Sequence, residues 1–111
     1  MPFFVVDKLD KELVTPKYST AHGETITGQA IEFCRLKFAG GTGAVEHAHP
    51  HEQVMYVMSG RLRVTMEGET AELEPGMAFH ALPNVPHKVE ALVDTQVISV
   101  KNTIGGVGHK I

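Results

Sequence analysis

Between closely spaced glycines and prolines, the chain runs in short segments whose apolar and polar residues alternate. Gly40, Gly41, Gly43, Pro50, Gly60, Gly68, Pro75, Gly76, Pro83 and Pro86 punctuate it, and the segments between are about five to eight residues long. RLRVTME shows the period: Leu62, Val64 and Met66 are apolar, whereas Arg61, Arg63, Thr65 and Glu67 are polar. A period of two puts one set on each face of a strand, so one face meets a core and the other water. The same reading predicts strands over 29–38, 53–59, 61–67, 70–74, 77–82, 87–93 and 95–102. Ser59-Gly60 and Glu67-Gly68 are turn dipeptides between alternating runs and predict hairpins. Only the first dozen residues hold any expectation of helix. Many short strands with no helical layer predict an all-β sandwich or barrel.

Composition narrows the partners rather than the fold. At 111 residues the chain can build one core but not two. Hydrophobic residues make up 42% and charged residues 21%, an ordinary globular balance. A formal net charge of −3 gives no reason to expect nucleic acid. The start, MPFFVVDKLDKELV, carries charge too early for a signal peptide, and no apolar run is long enough to span a bilayer. A cytoplasmic protein with no membrane partner is expected. Cys34 is alone, so no internal disulfide can form, and a buried small hydrophobe is its expected role. The tail IGGVGHKI contains Lys110 but lacks the spacing and Ser/Thr of a phosphate loop, and is expected to be a flexible or docked terminus.

The candidate chemistry concentrates in HAHPHEQ, His47 to Gln53. Residues two apart on a strand share a face with their Cα atoms about 6.6 Å apart, so His47 and His49 can converge on one point. Gln53 has the same parity beyond a bend at Pro50. His51 also shares it, but sits at the bend; it is a candidate contact for metal or substrate. Glu52 has the opposite parity and should face solvent or a neighbouring subunit. His51-Glu52-x-x-Met55 lacks the second histidine of the helical HExxH zinc motif. The remaining ligand must come from a distant strand. His87 opens HKVEALV, where Lys88 and Glu90 suit solvent while His87, Val89 and Ala91 face inward. Among secondary candidates, His80 in MAFHAL could point into the barrel as an acid/base group, against a core or subunit-interface alternative. Tyr18 and His22, in a polar N-terminal stretch, could cap the pocket. Tyr56 has parity opposite to Gln53 and suits core or subunit packing.

These spacings resemble the two motifs of the cupins. Gly41-x5-His47-x-His49-x3-Gln53-x6-Gly60 is similar to the first, G-x5-H-x-H-x3-E-x6-G, with glutamine in the glutamate place. Gly76-x5-Leu82-x-Asn84-x2-His87 resembles the second, G-x5-P-x-G-x2-H-x3-N, and 15 residues separate the two. Leu82 stands where proline is usual, but Pro83 follows at once and can stiffen the same turn. Asn84 replaces glycine and is the next residue best able to adopt a left-handed conformation. Ala91 replaces the terminal asparagine. The resemblance implies one cupin domain over 1–111, a jelly-roll-like double-stranded β-helix barrel. Its first motif would cover 41–60, its second 76–91, and residues 1–28 an N-terminal arm or edge strands. It also implies that His47, His49, Gln53 and His87 hold one divalent metal, and that the protein is a homodimer, to which Val54, Tyr56 and Met58 could supply the contact. Three imidazoles and one amide oxygen suit Mn, Fe, Co, Ni or Zn. A neutral amide in place of a carboxylate leaves the ion's charge less neutralised, which weakens binding but makes a stronger Lewis acid.

Three functions fit a metal with open positions in a small barrel. The first is a metal-dependent lyase or isomerase working on a small oxygenated molecule, a sugar acid or carbonyl compound. HPHEQ is similar to the segment in small cupins that open the ring of unsaturated uronic acids, and small cupin hydroxynitrile lyases share the three-His-one-Gln set. The uronate cupins usually follow the last strand with an Asp-x-Phe-x-Pro-x-Arg-like run; this chain has Ser99-Val100-Lys101-Asn102-Thr103-Ile104-Gly105. The second is an Fe(II)-dependent dioxygenase. The third is a non-catalytic, metal-stabilised domain that binds a small molecule.

Overall fold

The computed structural model describes residues 2–110. After one 3-10 turn at Val6–Lys8, the chain forms β1 (Glu12–Leu13), β2 (His22–Thr27), β3 (Ile31–Phe38), β4 (Gly43–His47), β5 (Gln53–Ser59), β6 (Leu62–Met66), β7 (Glu69–Leu73), β8 (Ala78–Ala81), β9 (His87–Ala91) and β10 (Thr95–Asn102). The strands make two antiparallel sheets, one ordered β1-β2-β3-β10-β5-β8 and the other β4-β9-β6-β7. The fold is all-β, as the alternation predicts. Among the described residues no helix is long and apolar enough to cross a membrane.

Period-two burial carries the prediction into three dimensions. On β10, Thr95, Val97, Ser99 and Lys101 are buried, and each residue between them is only partly so. On β5, Gln53, Met55 and Val57 turn inward while Val54, Tyr56 and Met58 are exposed. Leu36 and Phe38 of β3, Leu62 and Val64 of β6, and Val89 and Ala91 of β9 complete one core between the sheets. Fully burying such side chains stabilises by about 1.5–3 kcal/mol each.

Register divides this interior into a polar end and an apolar end. Lys101 lies opposite Glu32 of β3 on one side and Gln53 of β5 on the other. Four residues back along β10, Val97 lies opposite Leu36 and Val57. All six are buried. The site is built at the polar end.

Two expectations about elements need correction. The N-terminal helix reduces to the three residues Val6–Lys8, followed by a two-residue edge strand. Ser59-Gly60 is not a hairpin: β5 pairs with β10 and β8, whereas β6 pairs with β7 and β9 in the other sheet. Gly60 instead turns the chain from one sheet to the other at φ +89°, and a Cβ there would lie 2.5 Å from the Asp94 carbonyl oxygen. Glu67-Gly68 is a true two-residue hairpin with φ of 54° and 74°, and Met66 pairs with Glu69 across it. Both central residues in the left-handed region match the twist of the flanking strands.

Candidate metal centre

His47 ends β4 and His87 opens β9, and the register between these strands shifts after Ala44 so that the two histidines become direct partners. A local irregularity of this kind re-aims a side chain. It brings the imidazole centroids to 4.6 Å. His49, two residues beyond β4, places its ring 4.8 Å from His87 and 5.5 Å from His47. One ring nitrogen from each of the three lies within 4.8 Å of the others.

The hydrogen bonds fix which nitrogen faces the centre. Nδ1 of His47 lies 2.7 Å from the Val45 carbonyl, that of His49 3.0 Å from the His51 carbonyl, and that of His87 2.9 Å from the Val85 carbonyl. A carbonyl only accepts, so each Nδ1 carries the proton and each Nε2 presents a lone pair. An outward N–H anchored on a backbone carbonyl is the usual support of a metal-binding imidazole. Burial depresses all three basicities, and the Lys101 cation adds to it, holding His49 at about 4 and the other two below the ordinary histidine value. The rings stay neutral at ordinary pH and ready to donate.

Gln53 brings an oxygen to the same place. Its Nε2 donates to Ser99 Oγ at 2.7 Å, so its Oε1 is turned toward His49 Nε2, 3.2 Å away. Two acceptors thus face each other across that gap. A shared cation satisfies this arrangement, and the donor set of three imidazoles and one amide oxygen fits a divalent transition metal.

The other sequence candidates divide. Tyr18 stacks on His47, with centroids 4.8 Å apart and planes 10° from parallel, so it stands beside the centre. His51 does not join the cluster despite its parity. It is buried, and its Nε2 donates to the Val107 carbonyl at 2.8 Å, so the bend at Pro50 directs it to the C-terminal segment. His80 does not point into the barrel: it is on the outer face of β8, half exposed and 2.5 Å from Glu52. The solvent-facing parity expected for Glu52 is what creates this pair. His22 lies on β2 opposite Lys37, bonded to the Thr20 carbonyl, away from the three histidines. Burial and the neighbouring Glu32 carboxylate push the Cys34 thiol far up, so it is an unreactive core group.

Four residues of this region were not among the site candidates read from the sequence. Lys101 is 2% exposed and lines the same cavity as His47, Gln53 and His87. Its ammonium makes no hydrogen bond or ion pair among the described residues, and burial lowers its pKa to about 8. Ser99, Glu32 and His109 form a buried group beside it. Nδ1 of His109 lies 2.7 Å from Glu32 Oε1, and its Nε2 lies 2.9 Å from Ser99 Oγ. Burial alone would raise the Glu32 pKa, but bonds from His109 and Thr27 outweigh it and hold the carboxyl at about 2. Parity along TQVISVKN could have found Ser99 and Lys101, since both alternate with Val97. Nothing local marks His109. The cavity holds only about 30 Å³, room for about two waters or one carboxylate-sized group.

Comparison with known proteins shows the family and the fold. A family profile described as a cupin domain matches residues 34–100. The pectin degradation protein KdgF of Dickeya dadantii (strain 3937) is 37% identical over 64 residues, which cover 57% of this chain and 58% of that protein. The match therefore spans little more than half of that relative. The solved structure of KdgF from Halomonas sp. superposes with a TM-score of 0.80 at 30% identity, covering 92% of this chain and 93% of that one. An RmlC-like cupin from Shewanella frigidimarina NCIMB 400 superposes with a TM-score of 0.83 at 21% identity, covering 95% and 93%.

Proposed function

The chain belongs to the cupin domain family, and from that premise we propose that it is a metal-dependent lyase or isomerase acting on a small sugar acid, with ring opening of an unsaturated uronic acid as the favoured reaction. The observation that carries the metal reading is the set of three Nε2 lone pairs, each fixed by an Nδ1–H on a backbone carbonyl, converging with the Gln53 oxygen. The substrate class rests on the likeness to two KdgF proteins and on Lys101.

In this reading His47, His49, His87 and Gln53 hold one divalent ion from the group Mn, Fe, Co, Ni and Zn. When bound, such an ion supplies a Lewis acid that polarises a carbonyl or hydroxyl oxygen. The chain's own residues do the rest. Lys101 offers a buried cation to a substrate carboxylate, and Gly105 stands where the uronate cupins' run has its arginine. A cation in a water-poor cavity attracts an anion far more strongly than one on the surface. The ring of Tyr18 lies flat on His47 and fixes that imidazole from one side. Val54, Tyr56 and Met58, exposed on the outer face of β5, supply the contact of a homodimer.

The test is turnover of an unsaturated monouronate by protein reloaded with each metal in turn, followed by loss of the enol-ether absorbance. Lys101→Met should lower kcat/KM by at least about tenfold while leaving metal content unchanged. No turnover with any metal would refute the lyase or isomerase reading. Oxygen uptake confined to the Fe(II) form would support a dioxygenase instead, and binding of a uronate without turnover a non-catalytic binding domain.

A further inference from the structure

Resting on the metal reading above, we propose that Ser99, set by His109 and Glu32, is a positioning residue that dictates which end of the Gln53 amide faces the metal. An amide has an oxygen and a nitrogen of nearly equal size, and only the oxygen can be a ligand. Something must decide its orientation. On the side of the imidazoles its nearest partner disfavours the oxygen, which faces the lone pair of His49 Nε2 at 3.2 Å.

The decision is made on the far side of the residue and can be followed proton by proton. Thr27 and His109 bond to the Glu32 carboxylate, which is ionised and therefore only accepts. His109 directs both its backbone N–H, at 2.6 Å, and its Nδ1, at 2.7 Å, to Glu32 Oε1. Burial lowers the His109 pKa, so the neutral ring carries its one proton on Nδ1 and Nε2 is left as an acceptor. Ser99 Oγ, 2.9 Å away, gives its single proton to that Nε2. With that proton committed, Ser99 can only accept from Gln53, and the group 2.7 Å from it must be the Nε2 amine. The amide oxygen is left on the metal side. Turning the amide over would set its oxygen against a hydroxyl that has no proton left to give. Ser99, Glu32, Gln53 and His109 are all at most 5% exposed, so these bonds form away from bulk solvent.

The last member of this chain comes from the C-terminal segment. Thr15 receives it, donating its backbone N–H and its hydroxyl to the His109 carbonyl at 2.5 and 3.0 Å. The docked segment thus carries the imidazole that commits the Ser99 proton.

A comparison of backgrounds tests the proposal, because a carboxylate presents an oxygen whichever way it is turned. Zinc affinity would be measured by competition with a chromophoric chelator for wild type, Ser99→Ala, Gln53→Glu and the double variant. Ser99→Ala should weaken binding by about tenfold or more with Gln53 present and by much less with glutamate in its place. Ser99→Thr, which keeps the hydroxyl, should restore affinity. Equal zinc affinity of Ser99→Ala and wild type would overturn the proposal, as would an equal loss in both backgrounds, the mark of a merely structural effect. Imidazole nitrogen NMR on the metal-free wild type should place the His109 proton on Nδ1; a proton on Nε2 would also overturn it. Wild type that takes up no zinc would refute the metal reading itself, a different failure from wild type that binds zinc indifferently to Ser99.

Discussion

Protonation of the buried imidazoles sets an acid limit on this protein. In an unfolded chain they titrate near 6.5, whereas His49 in the fold does so near 4, chiefly because burial penalises its cation. Between those values the unfolded state binds more protons than the native one, so stability rises with pH and is lost as pH falls from about 6.5 toward 4. His49 alone should cost on the order of 2 kcal/mol by pH 5. Urea midpoints of the metal-free protein at pH 7.5 and 5 check this, and an unchanged midpoint would contradict it. Protons also compete for the Nε2 lone pairs, so metal retention should fail over the same interval. His47→Ala and His87→Ala should each drop metal content from about one ion per chain to near zero by elemental analysis; full retention in both would remove the four-ligand site. At this scale the HxH pair, Gln53 and His87 were legible from parity and spacing. His51 and His80 were not: one turns to Val107 and the other to Glu52, and neither partner is implied by the local pattern.

Turns behave as elements according to what packs behind them. Gly68 closes a hairpin at φ +74° with nothing near a would-be Cβ, so only backbone strain opposes a side chain. Gly68→Ala should cost about 1 kcal/mol. Gly60→Ala adds a collision with Asp94 and Thr95 at 2.5–2.7 Å, and should cost at least about twice as much. Equal urea midpoints for the two variants would refute the distinction. The two dipeptides look alike in the sequence. Which one joins neighbouring strands depends on pairing between β5 and β10, about forty residues apart in the chain, and a local reading has no access to it. Strand existence was the more legible property: the segments read over 53–59 and 95–102 match β5 and β10 at both ends, because burying one face imposes a period of two.

At the scale of the whole molecule, the outer face of the larger sheet is the surface with consequences. Val54, Tyr56 and Met58 project from β5 on the side away from the core. Light scattering should give twice the chain mass for wild type and the single-chain mass for a Tyr56→Asp, Met58→Asp variant. A wild-type monomer would remove the homodimer from the proposal. The interior is divided lengthwise, with Glu32, Lys101 and Gln53 in adjacent registers at one end and Leu36, Val97 and Val57 at the other. That division places Lys101 and Gln53 together at one end of the interior.

By itself the sequence determined the all-β class, the inward parity of most strands and three imidazoles that could meet. A strand's period and the spacing of HxH are properties of neighbouring residues, whereas His87 joined the pair through the inward parity of its own strand and the resemblance to the second cupin motif. Only the tertiary structure decided the polar layer around Lys101, the outward turn of His80 and the chain from Glu32 through His109 and Ser99 to Gln53. Each of those depends on strands or tails that meet across long stretches of chain. Their hydrogen bonds exist only after burial removes water as the alternative partner.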